Sequence, residues 1–403
     1  MSNKKRLLVL TTTFPRWKGD TEPPFVFELC RRLADRFEIL VLAPHTKGAQ
    51  LHEFMDGIEI RRFRYSFTKW EQLAYAGGIL SNLKLNRLRY FLLPSFIVSQ
   101  LVFLYEILRR ERIDVIHAHW LIPQGLTAAV LSVLVKRMPP ILCTSHGGDI
   151  LGLNGWLVFR IKRWTLSQIQ FLTVVSQVIL EQVRTLGSRS PKAAVIPMGV
   201  DTKTFTPSST RRDSYRLLFV GRLVEKKGLS YLIAALPIIL KQYPLVRLDI
   251  VGSGPEEFRL REQVAQLNIA QAVHFHGAIH NSSIPEFYRR STLLMMPSII
   301  TSKGDQEGLG LVLAEALACE CPVVASDLPG VRDVIMHRHT GLLVTERDST
   351  AIARAVIELI SKPELRMNLA RKGRMHVIEK FDWDEVALKY GDLLEDLSLS
   401  APQ

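Results

Sequence analysis

Short, almost unbroken apolar runs alternate along this chain with longer segments of helical period. Residues 6–13 (RLLVLTTT), 39–43 and 58–65 predict strands, with a helix at 25–36. Two helical stretches lie between 80 and 110. Strands at 114–118, 141–145 and 171–175 then alternate with helices at 124–137, near 156–167, and in a segment ending near Gly187. Strands that are apolar throughout, with no polar alternation, belong to parallel sheets covered on both faces.

After 196–201 (IPMGVD) the pattern loosens. Residues 202–213 are rich in Thr, Ser and Pro and predict no regular element, so they read as an interdomain linker. Alternation resumes with strands at 216–220, 247–251, 273–277, 293–296 and 323–326. Helices are expected at 228–242, 256–266, 284–290 and 310–319, with more helical material after Asp348. The fold class is therefore α/β, with a doubly wound Rossmann-like domain over 1–201 and a second over 214–380. A final helix within 381–403 is expected to pack back towards the first domain. Ligands of such domains bind beyond the carboxyl ends of the strands.

Composition narrows the function classes. The 403 residues are 47% hydrophobic, which excludes global disorder, a collagen-like fibre and a disulfide-stapled mini-protein. Lys and Arg number 52 against 39 Asp and Glu, a net charge of +13. That excess suits an anionic partner: nucleic acid, an acidic membrane surface or a phosphorylated small molecule. Cys30, Cys143, Cys319 and Cys321 form no C-x-x-C pair and have apolar flanks, as buried thiols in a reducing compartment do. The apolar run after the basic N-terminus fits a first strand better than a signal peptide. The longest charge-free apolar stretch, 91–105, is interrupted by Pro94 and falls short of the ~20 residues that span a bilayer. The expected location is the cytoplasm.

Three segments carry candidate chemistry. Gly221-Arg222-Leu223-Val224-Glu225-Lys226-Lys227-Gly228 directly follows a strand. Gly221 allows a sharp turn, and Arg222 and Lys227 can converge on an anion facing the next helix N-terminus; a solvated basic turn is the plain alternative. Glu307-Gly308-Leu309-Gly310-Leu311-Val312-Leu313-Ala314-Glu315 sets one carboxylate in a glycine-rich loop and another about two helical turns on, on the order of 10 Å along the axis. Such spacing suits two separate polyol groups, for instance the sugar and the ribose of a nucleotide sugar, with the backbone N–H groups between them facing phosphates. Incidental surface acids fit poorly, because Ala314, Ala316, Leu317 and Ala318 mark a buried helix. Ser145-His146-Gly147-Gly148-Asp149 follows a first-domain strand, where His146 and Asp149 beside two glycines can approach a ligand or serve the fold alone.

Taken in order, these motifs resemble those of a family 4 (group 1) retaining glycosyltransferase with the GT-B fold, over nearly the whole chain. The most specific part is E-x7-E, Glu307 and Glu315, followed by Cys321-Pro322-Val323-Val324-Ala325-Ser326. Gly221-Arg222-Leu223 with Lys227-Gly228 matches the family's diphosphate clamp. Supporting pieces are Phe14-Pro15, Gly19-Asp20, His117-Ala118-His119, Ser145-His146-Gly147 and Pro197-Met198-Gly199-Val200-Asp201. The resemblance implies two Rossmann-like domains facing each other across a cleft, the first binding acceptor and the second donor. It implies that Arg222 and Lys227 neutralise the leaving nucleoside diphosphate in place of a metal. Glu307 would hold donor-sugar hydroxyls or the reacting face, Glu315 the ribose hydroxyls, with Gly308, Leu309, Gly310 and Leu311 along the donor. His146 would lie near the donor sugar and the acceptor hydroxyl, and Gly19, Asp20 and Asp149 would add first-domain loop contacts. No protein nucleophile, metal or cofactor is implied, since the nucleotide sugar is itself a substrate. Two departures stand out: Gly19-Asp20 then Pro23-Pro24-Phe25 where many relatives have a glycine pair, and Pro329-Gly330-Val331-Arg332-Asp333 where Gly-Gly-x-x-Glu is common.

Other motifs point elsewhere. Val251-Gly252-Ser253-Gly254-Pro255-Glu256-Glu257 opens like a dinucleotide fingerprint, but an acid occupies the third glycine's place and would repel a pyrophosphate. Asp382-Trp383-Asp384 imitates a metal-binding D-x-D and reads as a helix cap. The pairs His117/His119, His274/His276 and His337/His339 lack a third ligand. The basic flanks of 91–105 leave two readings, a covered helix of the first domain or a membrane-surface contact at the inner face. The expected partners are a nucleoside-diphosphate sugar and a sugar or lipid-linked acceptor in cell-surface polysaccharide, O-antigen or glycolipid synthesis, with no nucleic acid. A nucleotide-sugar epimerase on the same scaffold and a basic nucleic-acid-binding protein are the competing functions; the latter rests on net charge alone.

Overall fold

All eleven apolar runs singled out in the sequence are strands in one of two sheets. The computed structural model describes residues 4–20, 22, 24–75, 77–187, 191–208, 213–302 and 304–399; Pro23 and residues 209–212 lie outside them. One unit comprises the chain up to Val175, Ile179–Pro197 and everything from Val386 onward, and the other comprises Ser176–Val178 and Met198–Glu385.

In the N-terminal unit the strands are β1 (Lys5–Leu10), β2 (Phe37–Pro44), β3 (His52–Met55), β4 (Ile58–Phe63), β5 (Val115–His119), β6 (Ile141–Ser145), β7 (Phe171–Val174) and β8 (Lys192–Val195). Their order is β3-β4-β2-β1-β5-β6-β7-β8, parallel except for the β3–β4 hairpin. The second unit holds β9 (Arg216–Val220), β10 (Arg247–Val251), β11 (Val273–Gly277), β12 (Leu293–Met296), β13 (Val323–Ser326) and β14 (Leu342–Val344). It is wholly parallel, in the order β11-β10-β9-β12-β13-β14. Leu217, Phe219, Leu293 and Met295 point to one face, covered by helices Leu229–Gln242 and Ser349–Ser361. Each such fully buried side chain contributes about 1.5–3 kcal/mol of transfer free energy.

Strand order reverses between β1 and β5 in the first sheet and between β9 and β12 in the second. Loops leaving these strands at their carboxyl ends border the crevice where doubly wound sheets bind ligands. The strands missed from sequence are β3, β8 and β14, short edge or near-edge strands whose sequences, HEFM, KAAV and LLV, carry little pattern.

The described part of the expected linker is not a free tether. Asp201 accepts from the Lys203 and Thr204 N–H groups, while Arg289 donates to the carbonyls of Thr204 and Thr206. Residues 202–208 are thus a turn fixed to the second unit, and the units divide at Pro197/Met198. Polar composition concealed this because its Thr and Asp side chains bond locally. Helix Trp383–Leu399 starts in the second unit, where Asp382 accepts from Asp384 N–H as an N-terminal cap. From Val386 it belongs to the first, with buried Tyr390 donating to the Ile196 carbonyl and Arg36 paired with Asp392.

Candidate functional site

Two loops of the second unit meet at its strand-order reversal. The first leaves β9 through Gly221 at φ +154° and ends at Gly228, φ +61°, which begins helix Leu229–Gln242. A methyl group on Gly228 would sit 1.9 Å from the Pro297 carbonyl oxygen, so only glycine brings this loop onto the chain leaving β12. The second loop runs from Pro297 to Gly310, whose φ of +78° opens helix Leu311–Ala318.

Charge is concentrated where these loops face. Lys227 Nζ lies 2.5 Å from Glu307 Oε2, and both side chains are only 14% exposed. Lys226 pairs with Asp305 at 3.1 Å and also donates to the Gln306 carbonyl. Burial raises the pKa of Glu307, but the Lys227 and Lys226 ammonium groups outweigh it and hold the carboxyl below its usual range. Glu315 goes the opposite way. Its burial wins over the hydrogen bond from Tyr288 Oη, 2.8 Å from Oε2, and over the charge of Lys227, so its pKa is raised. Lys227 therefore acts on both carboxylates. Arg222 stands half-buried in the same loop. Buried Ser298 Oγ, Gln306 Oε1 and Ser326 Oγ, all following β12 or ending β13, have no hydrogen-bond partner. Unsatisfied buried polar atoms at strand ends are what a ligand or water completes.

The neighbouring glycines serve these loops. A methyl on Gly252 would lie 2.0 Å from the Gly221 carbonyl oxygen, and one on Gly254 would lie 2.4 Å from that of Leu223. The fingerprint-like Gly-Ser-Gly thus allows two backbones to touch, with Leu223 N–H donating to Ser253. Gly330 does the same for the acidic loop: a methyl there would lie 2.7 Å from the Glu307 carbonyl oxygen. Arg332, the unexpected residue beside it, pairs with Asp327 at 2.6 Å.

In the N-terminal unit, the loops after β1, β5 and β6 gather a different set. His146 Nε2 is 3.0 Å from His119 Nδ1, and the two rings stack at 17°. Phe25 and Trp120 approach the His146 ring at 4.9 and 4.7 Å. His117 bonds Thr144 Oγ1 at 2.7 Å, and the Tyr390 ring stacks on it. Burial holds all three imidazoles well below their ordinary pKa, so they are neutral near pH 7. One proton is then shared across the His119–His146 contact, and His119 Nε2 is buried without a partner. Asp149 is buried, accepting from the Leu121 N–H and Ser145 Oγ at 2.5 and 2.7 Å. Asp20 is gripped by Arg16 through Nε and Nη2. Asp20 fastens its own loop and Asp149 ties the segment after β6 to the one after β5, while Gly19, φ +81°, supplies the turn before Asp20.

Two family profiles cover these units in turn: Glycosyltransferase Family 4 matches residues 24–204, and Glycosyl transferases group 1 matches 201–376. A GDP-mannose-dependent alpha-(1-6)-phosphatidylinositol monomannoside mannosyltransferase of Mycobacterium tuberculosis is 30% identical over 287 residues, 66% of this chain and 74% of its own length. The chain belongs to this glycosyltransferase family. Its fold is that of the GT-B enzymes. The sucrose-phosphate synthase of Thermosynechococcus elongatus superposes with a TM-score of 0.80 at 22% identity, covering 98% of this chain and 100% of that one. Anabaena HepE in complex with UDP-glucose gives 0.72 at 18% identity, covering 97% and 99%.

As a glycosyltransferase of this family, the protein uses a nucleotide-sugar donor and an acceptor hydroxyl. Of the residues singled out in its sequence, Gly221, Arg222, Lys227, Glu307, Gly308, Leu309, Gly310, Leu311 and Glu315 all lie on the two loops and the helix at the β9/β12 reversal. His146 belongs to the N-terminal unit, in an aromatic setting that the sequence did not reveal. Tyr288 was also missed, because it sits in an unremarkable helix, Ile284–Arg290, and reaches Glu315 only through the fold. Lys226 and Asp305 carried a weak signal, each lying next to or near a chosen residue. Among the described residues, no group of three His, Cys, Asp or Glu is placed to hold a metal ion.

Proposed function

We propose that the protein is a retaining glycosyltransferase whose second unit binds the nucleoside-diphosphate sugar and whose first unit binds the acceptor. The Lys227–Glu307 pair at the β9/β12 reversal carries this reading. A nearly dry ammonium next to a carboxylate can move its hydrogen bonds to a diphosphate, while Glu307 turns to sugar hydroxyls. Arg222 and Lys227 supply the cationic charge that stabilises the leaving diphosphate, so transfer proceeds without an added divalent ion. Glu315, fixed by Tyr288, accepts from ribose hydroxyls, and the Gly308–Leu311 backbone lies along the donor. His146 contacts the sugar being transferred. The acceptor is a cell-surface polysaccharide, O-antigen or glycolipid precursor met at the cytoplasmic side. The mycobacterial relative's named use of GDP-mannose makes that donor the first to test.

The test is incubation with UDP-, GDP- and ADP-sugars, with NMR of the product's anomeric centre and chelator present. Donor turnover with retained configuration is expected. An inverted product, or transfer abolished by chelator, contradicts the reading, and conversion of the donor without any acceptor indicates an epimerase.

A further inference from the structure

Three helices of the N-terminal unit share an outer face that is apolar, aromatic and basic. Helix Leu92–Arg110 packs beside helix Leu126–Leu134, which packs in turn against helix Trp156–Gln168. The first helix turns Phe96, Gln100, Leu104 and Ile107 into the protein. Phe91, Val98, Val102 and Tyr105 form a second stripe at helical spacing and are exposed, Phe91 by 81%. Val133 and Leu134 end the middle helix in solvent, and the third exposes Trp156 by 73%, together with Leu157 and Trp164.

Cations surround these side chains. Arg87, Arg109, Arg110, Lys136, Arg160 and Arg163 are exposed, whereas Glu106 is the one exposed carboxylate between residues 79 and 170. The helical segment Arg87–Arg110 has the length and hydropathy to cross a bilayer, longer than its charge-free run because it includes the flanking arginines. Its buried stripe, however, is packed against the unit. A helix held by one face and apolar on the other lies along an interface. A second copy of the same surface would set cations against cations, whereas anionic headgroups would neutralise them.

We infer that this three-helix face docks the enzyme on an anionic lipid bilayer, with Phe91, Val98, Val102, Tyr105 and Trp156 entering the headgroup layer. Flotation of the whole chain with vesicles tests it. Phosphatidylcholine vesicles containing about one-third phosphatidylglycerol should carry the protein, pure phosphatidylcholine should not, and raising salt from about 0.05 to about 0.5 M should release it. V98S/V102S/Y105S should weaken binding at least about tenfold, as should R109E/R110E/R160E/R163E, with nucleoside diphosphate affinity unchanged. The second set alters exposed charges only, and so remains informative should the first disturb folding. Absence of flotation with the anionic vesicles overturns the inference, as does flotation that neither set weakens. A dimer in sedimentation velocity that these substitutions dissolve, without vesicle binding, overturns it in favour of self-association.

Discussion

The loops at the β1/β5 reversal and those at the β9/β12 reversal occupy equivalent places in two similar sheets, yet their electrostatics are opposed. The second set holds Lys226, Lys227, Asp305 and Glu307 as close ion pairs. The first holds neutral imidazoles among Phe25, Trp120 and Tyr390. Both are desolvated, and the outcome depends on the partner. A carboxyl beside an ammonium stays ionised; an imidazole beside another imidazole and aromatic rings stays neutral. A departing diphosphate requires cations, whereas sugar rings and hydroxyls are matched by aromatic faces and neutral hydrogen-bonding groups. Topology fixes where ligands can lie in such sheets, and in the proposed division of labour the local charge decides which part of the reaction each unit serves.

Acid should act on this contrast most strongly, because the buried imidazoles resist protonation that the unfolded chain accepts. The folded pKa of His117 and that of His146 are pushed down to about 3, below the unfolded 6.5. The unfolded chain therefore takes up protons first. Stability is full above pH 6.5 and is lost as pH falls towards the folded values. Each ring should cost about 2 kcal/mol by pH 5, about 4 for the two. Urea unfolding at pH 7.5 and 5 checks this, with His117→Asn expected to flatten the dependence; identical midpoints would mean that these rings do not titrate between the two states.

The charged side can be broken through its backbone. Gly228→Ala must adopt φ +61° and crowd the Pro297 carbonyl, so it should destabilise by about 2–3 kcal/mol and lower Tm by several degrees, measured by calorimetry. Tyr288→Phe is milder. It removes one hydrogen bond to Glu315, about 1 kcal/mol, and should raise the donor KM roughly fivefold with little change in kcat. Arg332→Ala, which loses an exposed pair with Asp327, should leave Tm and donor affinity unchanged.

The fold was readable from sequence because parallel strands leave uninterrupted apolar runs, and the candidate site because Arg222 and Lys227 directly follow a strand while Glu307 and Glu315 bracket a glycine-rich loop and a buried helix. Gly221 announced the sharp turn after β9, whereas the need for glycine at 228 appears only where its backbone meets Pro297. What sequence did not reveal depends on contacts between distant segments. Tyr288 meets Glu315 across 27 residues, and Phe25 reaches His146 from the start of helix Phe25–Leu33. Residues 202–208 resembled a tether because the Arg289 that anchors them lies far along the chain. The length of the apolar helix was underestimated because arginines end a hydropathy run without ending a helix.

Calorimetric titration of GDP and UDP into the full chain tests the division of labour most directly. Lys227→Ala should weaken the nucleoside diphosphate that binds by about 10- to 100-fold, the loss of a charge-assisted contact, while His146→Ala leaves its affinity unchanged. Equal affinity in Lys227→Ala and the unaltered protein, or an equal loss in His146→Ala, would contradict the assignment of the diphosphate to the ion-paired loops of the second unit.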